Sequence, residues 1–306
     1  MPAPFLIRAE GNQPADLELS RRGLAGLFFA GYAVAARAAE AAPIRTDLAG
    51  IQAARVLVRT RNSEMPAYTA RPQGRGRFPA VIVIPEVFGI HEYIRDVCRR
   101  LAKSGYYAIA PDFFHRAGDP APLTDFAQIR TITATVGYEQ SMDDVAAVLA
   151  FLRRERTVDA LRLGITGFCW GGALVWLAAA RFRDFRAGVA WYGRLTRPAP
   201  GEFLSEPNRQ WPVEVAHALN FPVLGLYAQN DRGIPQESVR LMRHALESYN
   251  RRGSSILVYP NTQHGFHADY RETYNAAAAE DGWRRMLDHF RRFGMAGRAP
   301  AAARAA

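Results

Sequence analysis

Apolar residues in this chain follow two rhythms: short unbroken runs, and longer stretches in which they return every three or four positions. The unbroken runs are AVIVIP at 80–85, YYAIAP at 106–111, LRLGITG at 161–167, AGVAWYG at 187–193, PVLGLYA at 222–228 and SSILVYP at 254–260. Such runs, bounded by glycine or proline, predict strands buried on both faces. The stretches between them predict helices over 91–105, 141–155, from near Trp170 to about 180, 235–250 and 275–293. The 141–155 helix opens on Ser141 with Asp143 and Asp144 behind it and closes on Arg153 and Arg154, the order that capping and the helix dipole favour. Ahead of this alternation, 53–59 and 65–71 predict two strands of an antiparallel hairpin. Strands that trade places with helices imply right-handed crossovers. The expected fold class is therefore α/β, a mostly parallel twisted sheet with helices on both faces.

One such domain is expected over 50–293. Within it, the linker at 194–220 is too long for a plain connection, so it is expected to carry short helical turns and to border the pocket. Two flanking segments read differently. Residues 294–306 are rich in alanine and predict a disordered tail. Residues 1–41 hold the pair Arg21 and Arg22, an apolar run at 24–36 and an A-x-A at 36–38. The run is too short to span a bilayer and lacks a polar face, which fits the core of an export signal of the twin-arginine type. The expected location is periplasmic or otherwise exported, with no stable membrane insertion once the leader is removed. The alternative is an ordinary helix in a cytoplasmic protein.

Composition narrows the chemistry. The net charge of +10 comes almost entirely from arginine, Lys103 being the only lysine, and the basic residues are spread along the chain without a dense run. That distribution predicts a solvated basic surface, with no nucleic-acid partner, and leaves an anionic substrate open. The two cysteines, Cys98 and Cys169, allow at most one disulfide and no CxxC motif, and no HExxH spacing exists, so neither a metal nor a cofactor is expected.

The candidate chemistry sits in GITGFCWGGALVWLAAA at 164–180, where a strand gives way to a helix. Gly167, Cys169 and Gly171 form G-x-C-x-G, the thiol version of the nucleophile elbow. A cysteine there stands at a strained turn and at a helix N-terminus, where the dipole favours thiolate and the backbone N–H of Trp170 can face an oxyanion. A nucleophile needs a base, and the base an orienting acid. Asp231 follows the strand at 222–228 and His264 follows the strand at 254–260, in the order nucleophile, acid, histidine. Parallel strands deliver all three groups to one rim of the sheet. His267 and His217 compete for the role of base and are expected to be surface or pocket-wall histidines.

These motifs resemble the dienelactone hydrolase (carboxymethylenebutenolidase) family of the α/β-hydrolase fold. GFCWGG is similar to the family's nucleophile motif, NDRGIP to its acid loop and HGF to its histidine turn. The resemblance implies a Cys169, His264, Asp231 triad. Through PEVFGI at 85–90 it also implies that Glu86 contacts the resting thiol and that the Val87 N–H is a second oxyanion donor. It further implies that Arg116, in PDFFHR, binds a substrate carboxylate and that Tyr192 lines the pocket. The family's founding members carry a second carboxylate-binding arginine four residues after the histidine, where this chain has Ala268; Arg271 lies three residues further. The expected activity is hydrolysis of a small ester or a dienelactone-like lactone through a thioester, with an anionic substrate left open. The alternatives are an esterase or thioesterase for neutral acyl groups and an inert binding protein on the same scaffold.

Overall fold

The computed structural model describes residues 43–199 and 209–297. The leader expected over 1–41 and residues 200–208 of the linker lie outside the described residues. Eight strands form one sheet: β1 (Ile51–Arg59), β2 (Glu64–Pro72), β3 (Phe78–Ile84), β4 (Tyr107–Pro111), β5 (Val158–Phe168), β6 (Phe185–Trp191), β7 (Val223–Ala228) and β8 (Ser255–Tyr259). Their spatial order is β1-β2-β4-β3-β5-β6-β7-β8. β1 pairs antiparallel with β2, and β2 with β4; every other pairing is parallel. The opening hairpin and the parallel body are thus as the hydrophobic rhythm predicted, and β3 and β4 are buried along their whole length.

The helices are α1 (Glu92–Lys103), α2 (Phe126–Thr133), α3 (Tyr138–Arg154), α4 (Trp170–Arg181), α5 (Pro212–Val215), α6 (Gln236–Ser248) and α7 (Ala276–Arg292). Sequence periodicity did not predict α2, a short helix capped by Asp125, whose side chain accepts from the Ala127 N–H at 2.8 Å. The linker carries its turns at α5 and at a 3-10 segment, Ala216–Ala218. β3 leads through α1 to β4 on one side, whereas β5 leads through α4 to β6 on the other. With right-handed crossovers, α1 and α4 must cover opposite faces. α7 joins the face of α1, where Arg100 lies over the Trp283 ring at 5.2 Å. α4 is apolar all round and is buried from Trp170 to Ala179, as a helix enclosed by its neighbours must be.

The chain therefore diverges between β3 and β5, and that divergence opens a crevice at their carboxyl ends. Deep in the core behind it, the Trp191 indole donates to Thr166 Oγ1 at 3.1 Å, and that hydroxyl donates to the Val189 carbonyl at 3.0 Å, so both buried polar groups are satisfied. The folded body runs past Phe293, against the expectation of a tail starting at residue 294. Met295 is fully buried because its side chain fills the space over Gly164, where a Cβ would come within 2.6 Å of it. Residues 298–306 lie outside the described residues. Among the described residues no helix is long and apolar enough to cross a membrane.

Candidate active site

Cys169 ends β5 and caps α4 with φ 55° and ψ −112°, a conformation that L-residues rarely adopt. Holding a non-glycine residue there costs on the order of 1–3 kcal/mol, which the surrounding contacts must offset. They do so from both sides: the Cys169 N–H donates to the Trp191 carbonyl at 2.9 Å, and the Cys169 carbonyl accepts from Ala173 N–H at 3.2 Å. The flanking glycines explain how the turn closes. A Cβ on Gly167 would lie 2.3 Å from the Gly171 carbonyl oxygen, and one on Gly171 would lie 2.4 Å from that of Ile84. The start of α4 therefore abuts the backbone that leads into Glu86 and Val87, and only glycine permits the approach.

The acid and the base meet across the loops that follow β7 and β8. Those loops are tied together by Asn230 N–H donating to the Thr262 carbonyl at 2.9 Å and Asn261 N–H donating to the Gln229 side chain at 3.0 Å. Asp231 is buried, and its Oδ1 accepts from the N–H groups of Gly233 and Ile234 at 2.9 and 3.1 Å. Its Oδ2 lies 2.7 Å from His264 Nδ1. This places the ring proton on Nδ1 and leaves the other nitrogen for the thiol. The imidazole also feels the charge of Cys169. Burial alone would depress the imidazole, but the charges of Asp231 and Cys169, with the hydrogen bond to Asp231, lift its pKa to about 10. Tyr192 stands edge-on to His264 with ring centroids 5.1 Å apart. Cys169, His264 and Asp231, remote in sequence, thus come together at the carboxyl rim of the sheet.

Behind the thiol lies a polar cluster that the hydrophobic pattern gave no reason to expect. Glu86 is fully buried; its Oε1 accepts from Arg271 Nη2 at 3.0 Å and its Oε2 from the Tyr270 hydroxyl at 2.6 Å. His91 lies 3.8 Å from the same carboxylate. Burial would raise the Glu86 pKa, yet the charge of Arg271, with His91 and Tyr270, holds it at about 2. The carboxylate that the resemblance set against the thiol is thus gripped by a cation and a phenol. Val87 follows it, 1% exposed. Arg271 is itself 0% exposed, lies over the Phe88 ring at 5.1 Å and feels the charge of Cys169. Ala268, at the family's second arginine position, is fully buried.

One expectation needs correction, and one guanidinium already has a partner within the fold. His267 is not on the surface or the pocket wall. It is 1% exposed, stacks on Phe168 at 5.4 Å and is bonded through Nδ1 to the Tyr93 hydroxyl at 2.6 Å, and burial keeps its pKa well below the ordinary value. Arg116 is not a free guanidinium awaiting a carboxylate. Its two terminal nitrogens fork onto Asp144 at 2.8 and 2.9 Å, because Asp144 is buried on α3 and needs a counter-charge. His217 is exposed beside Tyr249, as expected of a surface histidine. Sequence reasoning also missed Tyr270 and His91. The one available signal was that Tyr270 precedes Arg271 directly. Among the described residues no group of three His, Cys, Asp or Glu side chains is placed to hold a metal ion.

Comparison with known proteins identifies the family. A sequence model of the "Dienelactone hydrolase family" matches residues 65–294. A protein of Methylorubrum extorquens named "Putative carboxymethylenebutenolidase" is 44% identical over 285 residues, 92% of this chain and 96% of its own. A protein of the same name from Escherichia coli K12 is 46% identical over 269 residues, 86% of this chain and 96% of its own. The crystal structure of a "Putative Dienelactone Hydrolase" from Klebsiella pneumoniae is 43% identical, with a TM-score of 0.74 over 79% of this chain and 99% of its own. The matched span contains the elbow, the acid loop and the histidine turn, and the chain belongs to the dienelactone hydrolase family, α/β-hydrolases acting on carboxylic ester or lactone bonds.

Proposed function

We propose that this protein hydrolyses a small ester or lactone by covalent catalysis at Cys169, with His264 as acid and base and Asp231 as its orienting acid. The observation that carries the reading is His264 held 2.7 Å from Asp231 through Nδ1 while the same ring is coupled to the charge of Cys169. The sulfur attacks the carbonyl carbon, forming a C–S bond and a tetrahedral oxyanion. The N–H groups of Trp170 and Val87, on the two segments that abut at Gly171, are assigned as its donors, each contributing on the order of 3 kcal/mol to barrier lowering. Collapse breaks the C–O bond as His264 gives its proton to the leaving oxygen, leaving a thioester. Water then loses a proton to His264 and attacks the thioester; the C–S bond breaks, the acid departs and the thiolate is restored.

The test is hydrolysis of p-nitrophenyl acetate by wild type and by Cys169→Ala, with intact-mass detection of the acyl-enzyme. Turnover should fall about a thousandfold or more in the variant. Unchanged turnover removes Cys169 from the mechanism, and alkylation without turnover on any ester returns the chain to an inert scaffold. Within the enzyme reading, the commitment of Arg116 to Asp144 and the presence of Ala268 favour neutral acyl substrates over an anionic lactone. Export through residues 1–41 is part of the same proposal. A fusion of that segment to a reporter should reach the periplasm, and replacing Arg21 and Arg22 by lysine should strand it in the cytoplasm.

A further inference from the structure

A second cavity, of about 390 Å³, opens on the same rim beside the β1-β2 hairpin and within the size range of small-molecule sites. One wall follows from register. Arg55 on β1 is directly opposite Tyr68 on β2, so both side chains stand on one face of the sheet. α1 covers that face: Arg99 Nη1 reaches the Tyr68 hydroxyl at 3.4 Å, and Arg95, one turn earlier, lies on the same side of the helix. Arg99 is neutralised by Glu92 and Asp96. Arg55 and Arg95, by contrast, have no side-chain hydrogen bond or ion pair among the described residues, and Arg95 is half-buried in the first turn of α1, where the helix dipole opposes a cation.

The other wall carries the opposite sign. Among the described residues Asp112 and Asp119 each use only Oδ1, accepting from Phe114 N–H at 3.0 Å and Ala121 N–H at 2.9 Å. Neither carboxylate pairs with the arginines across the cavity. His115 is a fixed part of this wall, with Nδ1 on the Asp112 carbonyl at 2.7 Å and Nε2 on Ser63 at 2.9 Å. Phe113 and Phe114 next to Asp112 pack on Trp170 with centroids 5.6 and 5.0 Å away, which sets this cavity behind an aromatic partition from the elbow.

We infer that this cavity is a second binding site, for a small carboxylate bearing a hydroxyl or ammonium donor at its far end. Arg55 and Arg95 receive the carboxylate, and the outer oxygens of Asp112 and Asp119 receive the donor. Two unpaired guanidiniums facing two half-used carboxylates complement such a molecule and no uniformly charged one.

Calorimetric titration with 6-hydroxyhexanoate, 6-aminohexanoate and hexanoate tests this without reference to turnover, so its result is separate from the assignment of Cys169. Either donor-bearing acid should bind, with hexanoate and the Arg55→Ala and Arg95→Ala variants each about tenfold weaker. Alkylation of Cys169 should leave the affinity unchanged. The preference between hydroxyl and ammonium identifies the donor. Absence of binding by either donor-bearing acid overturns the proposal. So does affinity retained within twofold in Arg55→Ala, an exposed strand position whose folding is checked by circular dichroism, or binding lost on alkylation.

Discussion

Arg271 Nη2 stands 3.0 Å from Glu86 Oε1 with neither side chain exposed to solvent. These residues sit behind the elbow from opposite ends of the domain and form the most deeply buried ion pair of the site. A buried pair of this kind gains little over an apolar replacement, but breaking it is costly because one charge is left without a partner.

Arg271→Met should therefore destabilise the fold by about 3 kcal/mol or more, whereas Glu86→Gln combined with Arg271→Met should recover part of the loss. Chemical denaturation of the two single variants and the double variant measures it. The pH sign follows from the Glu86 carboxyl, lowered from 4.5 to about 2: the pair's stabilisation is complete above pH 4.5 and is lost as pH falls toward 2.

His264 has the opposite sign. Its pKa is raised from 6.5 to about 10, so the stability it contributes is fully present below pH 6.5 and lost as pH rises through 10. NMR titration of the ring should show imidazolium well above neutral pH in wild type. Asp231→Asn and Cys169→Ala should each move the midpoint down, since each removes a negative neighbour. A midpoint near 6.5 in wild type would contradict the assignment.

Gly171→Ala should abolish ester hydrolysis, because its new Cβ would meet the Ile84 carbonyl oxygen at 2.4 Å and push the start of α4 away from the Glu86–Val87 segment. Gly137→Ala is the matched control, since a Cβ there meets nothing within 4 Å. Steady-state rates and thermal unfolding of both variants separate the two cases.

Arg116→Ala should cost stability and spare chemistry. Asp144 is 1% exposed and would lose both charge-assisted bonds, a loss of about 3 kcal/mol for a carboxylate left unpaired. kcat/KM for p-nitrophenyl acetate should stay within about twofold of wild type, since each 1.4 kcal/mol lost in the transition state is tenfold. A large rise in KM confined to anionic esters would instead restore Arg116 to substrate binding.

Much of this protein is written in short-range pattern. Buried runs became the strands of the parallel body, and two glycines around Cys169 marked the elbow, because strand burial and turn closure depend on neighbours within a few residues. The order of Cys169, Asp231 and His264 placed each group after a strand, and parallel strands must carry such groups to one rim. α2 escaped because its eight residues carry too weak a periodicity to stand out from the loop around it.

Tertiary structure decided the partners of the charges. His264 and His267 share one turn, yet one faces Asp231 and the other is sealed against Phe168 and Trp191, a choice made by the backbone at Gly265, φ 78°, and by what packs on each side. Glu86 and Arg271 are 185 residues apart, and Arg116 and Asp144 are 28 apart. An arginine's sequence context states its charge but not which carboxylate the fold brings within 3 Å. Desolvation then makes that pairing obligatory, and it is why the guanidiniums of Arg116 and Arg271 serve the protein's own carboxylates.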